Sequence, residues 1–147
     1  MTSKPLLITL TVILGALIAL HLAMNARSGE IIGAARTANA MFWSVGALMA
    51  LLIWLAGGEF GNLSKILQVP PWLWSAGAIG ACIVFGVAYV MPHLGVGPTT
   101  VALLLGQVAA GLVMSHFGWL SGEASPINLG KLAGLGAIAA GVFLVSQ

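Results

Sequence analysis

Charge is what this 147-residue chain has least of: five Lys or Arg, three Glu and no aspartate at all, or 5% of its residues. Soluble domains carry about 25% charged residues. Lys4, Arg27, Glu30, Arg36, Glu59, Lys65, Glu123 and Lys131 cannot by themselves build a surface that faces water. The bilayer must solvate most of the exterior. The formal net charge of +2 comes from scattered residues with no basic cluster, so nucleic acid is not an expected partner. Cysteine is nearly absent too. Cys82 stands alone in an apolar run, which excludes an intrachain disulfide and reads as a small buried hydrophobe.

These absences also bear on chemistry. No glycine loop precedes a lysine in the phosphate-binding pattern, and no nucleophile–base or carboxylate pair can be assembled. The chain is not expected to be an enzyme. His21, His93 and His116 belong to three different segments, whereas zinc needs converging ligands; no metal or other cofactor is expected.

What the chain has is apolar sequence, 60% of it. A spanning helix needs roughly 20 mostly apolar residues, which leaves room for about five spans in a single transmembrane domain over 1–147. The expected helices cover about 5–24, 33–56, 72–90, 98–119 and 129–145. Asn25 to Glu30 reads as a polar interval, Gly57 to Val69 as the longest polar loop, Met91 to Gly95 as a tight connection and Ser121 to Asn128 as the last loop. Pro70-Pro71 and Pro98 open the third and fourth helices, where a missing N–H costs nothing. The stretch Pro5 to Met24 exceeds the roughly 7–15 apolar residues of a signal peptide, so it reads as an uncleaved first helix. The expected fold is an all-α membrane protein, a bundle of five transmembrane helices.

Five spans place Lys4, Lys65 and Lys131 on one side and Arg27 and Arg36 on the other. Cytoplasmic loops normally carry a clear Lys/Arg excess. So even a split leaves two readings open: a weak N-in bias, or insertion in both orientations. Trp54, Trp72, Trp74 and Trp119 fall near the N-terminal side, as interfacial anchors do. Trp43 lies mid-helix, where that role is closed to it.

Polar side chains inside apolar helices are expensive and tend to face the bundle or a cavity. His21 and Asn25 share a face of the first helix, one turn apart. Arg36, Asn39 and Trp43 form a stripe on the second, and Thr100, Gln107 and Gly111 one on the fourth. The three stripes are expected to meet around one pocket. Each residue also has a plainer role open to it. Gln107 and Thr100 could hold helices together, Trp43 could simply pack, Asn25 could cap a helix end, and Arg36 could snorkel to the headgroups. Tyr89 is either an interface anchor or a pocket residue. Gly130 and Gly134 have the spacing that lets helices approach closely, within the chain or across a dimer.

The order of features resembles a known family. Asn25-Ala-Arg27 follows the first apolar run, and Pro71-Trp72-Leu-Trp74 opens the third helix before Gly77 and Gly80. Pro92-His-Leu-Gly95 comes next, then Gly106-Gln107, His116-Phe117-Gly118, and Gly134 with Gly141. This series, over nearly the whole chain, is similar to the YdcZ-like family of the drug/metabolite transporter superfamily, related to the small multidrug resistance transporters. The resemblance implies a half-unit of a ten-helix transporter, a bacterial inner (cytoplasmic) membrane location, and pairing with a second copy of opposite orientation. It also implies a small organic solute moved by alternating access. The four-helix relatives couple to protons through a glutamate in their first helix, and Pro5 to Met24 has no acid. His21 is then the candidate proton site, imidazole being the group that titrates near neutral pH. The competing reading is a membrane-embedded assembly or regulatory subunit that moves nothing.

Overall fold

In lipid each backbone N–H and C=O must find its partner within the segment, and the apolar runs accordingly fold as helices. The computed structural model describes residues 3–58, 60–119 and 123–147; the loop residues Glu59 and Ser121 lie outside the described residues. Among those described there are five α-helices and no strand, so the protein is all-α. Four helical segments are long and apolar enough to cross a membrane, and a fifth is apolar but shorter. The chain divides into two compact units, residues 1–92 and 93–147.

The first unit opens with α1 (Lys4–Ile32). The sequence placed its end at Met24, but the helix continues through Asn25 to Glu30. Polarity does not break a helix; backbone geometry does. The stop comes at Gly33, at φ 72°, a left-handed conformation that glycine adopts without penalty. Gly33 N–H donates to Glu30 O and Ala34 N–H to Gly29 O, which closes the last turn. Arg27 pairs with Glu30 at 2.7 Å, one turn apart. Asn25 is therefore no cap: it lies inside the helix. α2 (Ala35–Gly57) follows after two residues and runs back along α1. A Cβ on Gly29 would stand 3.3 Å from the Ala35 Cα, so glycine there lets the hairpin close tightly. Leu22, Asn25, Ala26 and Gly29 are buried on α1, spaced at three and four residues on a single stripe.

After α2, residues Phe60–Gln68 form a 3₁₀-helix where the sequence suggested a plain loop. Phe60, Leu63 and Ile66 recur every three residues on its surface and are exposed, the spacing that aligns side chains in this helix type. Pro71–Trp74 is a second short 3₁₀ turn, so the third helix starts later than Trp72, at Ser75. α3 (Ser75–Leu94) then runs through Met91 and Pro92, which the sequence had assigned to a connection. Pro92 cannot donate to the Ala88 carbonyl, but this loss falls within the final turn, where a helix is about to end anyway. Cys82 is exposed on α3 rather than buried. A thiol is apolar enough to face lipid, and in a membrane protein the outside is as apolar as the core.

The second unit is a hairpin. Gly95, at φ 86°, precedes α4 (Val96–His116), which ends short of the expected Trp119. Gly118 turns the chain at φ 64°. Ser125 N–H donates to Ser115 O at 2.7 Å, and Ile127 N–H to His116 Nδ1 at 3.1 Å. Asn128 caps α5 (Leu129–Val145) by accepting from Lys131 N–H. The Lys131 ammonium donates to Ser125 O, Ser125 Oγ and Pro126 O at 2.8–3.0 Å. The lysine counted as a topology signal thus also fastens the loop.

Candidate functional site

Hydroxyls in these helices look after themselves. Thr9, Thr11, Ser28, Ser44, Thr99 and Thr100 each donate to the carbonyl four residues back, at 2.7–3.1 Å. An asparagine amide has two donors and an acceptor and cannot be satisfied so cheaply. Asn25 is 2% exposed, and among the described residues neither its Oδ1 nor its Nδ2 has a hydrogen-bond partner. An unpaired amide in an apolar interior costs about 1–3 kcal/mol. Asn25 is the polar group that the helix packing least explains.

It lines a cavity of about 360 Å³ between α1 and α2. α1 contributes His21, Met24, Asn25 and Ser28; α2 contributes Met41, Phe42, Val45 and Gly46. The cavity lies toward the Gly33 end of the hairpin, because Met24, Asn25 and Ser28 sit in the last third of α1. His21 Nδ1 is 2.8 Å from the Ile18 carbonyl. A carbonyl only accepts, so Nδ1 carries the proton, and Nε2 of the neutral ring is an acceptor. The imidazole packs against Phe42 with ring centres 5.1 Å apart. Among the described residues, no carboxylate, lysine or arginine lines the cavity.

Trp43 adjoins this wall. Its ring meets Phe42 edge-on at 6.1 Å, and its far edge lies over Gly80 of α3, where a Cβ would stand 3.3 Å away. Asn39, one turn earlier, reaches Ala81 O at 3.5 Å while its Oδ1 stays buried and unpaired among the described residues. Trp43 and Asn39 thus belong to the contact of α2 with α3.

The remaining expected site residues are not among those lining the cavity. Arg36 is exposed in the first turn of α2, and Tyr89 is exposed on α3. Thr100 has spent its hydroxyl on Val96 O. Gln107 is exposed near the middle of α4. Both α4 residues lie in the second unit, and the cavity is lined by α1 and α2 alone. Sequence reading missed Phe42, Met41, Met24, Ser28, Val45 and Gly46. A phenylalanine in an apolar helix carries no signal of its own. Only the two-residue turn at Gly33-Ala34, which sets His21 level with Phe42, could have found it.

Long apolar helices with few charges define the class: an integral membrane protein. A family model described as "Putative inner membrane exporter, YdcZ" matches residues 6–144, and the chain belongs to that family. It is an inner-membrane transport protein. No curated protein and no solved structure matches the chain.

Proposed function

We propose that the chain is the protomer of an alternating-access exporter for small organic solutes, and that the α1–α2 cavity is where solute binds. The observation that carries this reading is Asn25: a buried amide, unpaired at both ends, beside a cavity of solute size. Packing alone gives no reason to keep such a group, and intramembrane polar residues mark solute pathways. Trp43 and Asn39 back the cavity from the α3 side, and His21 is the candidate for coupling to protons. The whole chain is one transmembrane domain, and two copies of opposite orientation form the working dimer. Gln107 supports pairing, because an amide exposed at mid-span is costly in lipid and a second protomer would cover it.

The test is uptake of labelled small organic solutes into proteoliposomes, with and without a pH gradient. Native protein should give saturable flux, reduced about tenfold or more by Asn25→Leu or Trp43→Ala. Gln107→Ala should reduce flux through loss of the dimer or of a solute contact, and crosslinking tells these apart. Folded, dimeric protein that moves no member of a broad panel, yet co-purifies with another membrane protein, would favour an assembly subunit instead.

A further inference from the structure

The same cavity says what kind of solute it suits. We infer that it selects uncharged molecules carrying a planar amide edge, with an N–H donor beside a C=O acceptor, on a small flat apolar body. This rests on the cavity being the solute site.

Asn25 offers a carbonyl and an NH₂ side by side, both unpaired among the described residues. The complement that satisfies both at once is another amide, pairing edge to edge through two hydrogen bonds. A carboxylate would fill the acceptor's place but leave Asn25 Oδ1 facing negative charge. An ammonium would leave Nδ2 with nothing to donate to. Leaving a buried donor or acceptor unpaired is what allows such a site to reject the wrong partner. His21 adds an acceptor at Nε2, its Nδ1 being held by Ile18 O. That suits the second N–H of a primary amide. Ser28 has given its own proton to Met24 O and can only accept.

The rest of the lining is apolar and pliant. Met24 and Met41 adapt to shape, and Phe42 offers a ring against which a flat molecule can lie. Charge is disfavoured because, among the described residues, no carboxylate, Lys or Arg lines the cavity to offset its desolvation. The volume of about 360 Å³ sits near the small end of the range for ligand sites, roughly 300–1,000 Å³. One ring with its substituent fits this better than an extended drug. In this conformation both amide atoms are buried, so the inference requires that binding bring the amide edge into the cavity.

The experiment uses the full native chain in detergent, titrated calorimetrically with benzamide, N,N-dimethylbenzamide, benzoate and benzylammonium. These share a ring and differ at the edge. Benzamide should bind saturably and the other three about tenfold more weakly or worse. Asn25→Asp, which keeps the shape but removes the donors, should abolish the preference for benzamide. Equal binding of dimethylbenzamide, tighter binding of either charged probe, or no benzamide binding to folded protein would each overturn the inference. The two readings fail separately. Flux of charged solutes without benzamide binding sinks the amide edge and leaves a transporter. Benzamide binding to a chain that transports nothing keeps the site and sinks the exporter.

Discussion

Asn25 sets function against stability within one side chain. Replacing it with leucine removes an unpaired buried amide, so Asn25→Leu should be more stable than the native chain by about 1–3 kcal/mol while losing flux. Thermal unfolding in detergent, run beside the uptake assay, checks both halves; a destabilised variant would mean the amide has a structural partner after all. Gly80 makes the opposite case. A Cβ there meets Trp43 at 3.3 Å, and Gly80→Val should cost about 1–3 kcal/mol by overpacking, visible as a lower melting temperature and altered tryptophan fluorescence. The two differ in how legible they were. A polar residue in an apolar run announces itself, so His21 and Asn25 could be picked from the sequence. Gly80 could be noticed but not assigned, because its meaning lies in the ring it faces. Phe42 and Met41 could not be noticed at all.

At the scale of the helices, hydropathy found the segments, and glycine geometry decided where they stop. Asn25 to Glu30 was read as a break because it is polar, yet it holds no proline, and with the Arg27–Glu30 pair it stays helical through Gly29 as far as Gly33. Gly118 was seen only as part of a motif, though its backbone conformation turns the second hairpin. These two glycines yield a graded prediction. Around Gly33 there is open space, so Gly33→Ala bears only the left-handed strain, about 1–2 kcal/mol. At Gly118 a Cβ would also press on the backbone of Ala124 at 3.1 Å and Glu123 at 3.2 Å, and backbone cannot yield as a side chain can. Gly118→Ala should therefore destabilise more than Gly33→Ala, as read by unfolding in denaturing detergent; the reverse order would mean that the second hairpin tolerates rearrangement.

For the whole molecule, the even split of Lys and Arg leads to a prediction about orientation. In a Cys82→Ser background, a cysteine at Gln147 should react with an impermeant maleimide from both sides of the membrane to similar extents if the chain inserts both ways. Labelling from one side only would rule out an antiparallel homodimer. The placement of the cavity gives that pairing a use: because it lies toward the Gly33 end of the hairpin, two inverted copies would present one cavity toward each face. Helix length adds a further consequence. α5 has 17 residues, about 25 Å at 1.5 Å per residue, against a hydrocarbon layer of about 30 Å. α1, by contrast, has 29 residues. Helices of such unequal reach cannot all match one bilayer, and the lipid must thin locally or the helices tilt to compensate. Acyl-chain length thereby becomes a control on this protein, and thicker membranes would bear hardest on its last helix.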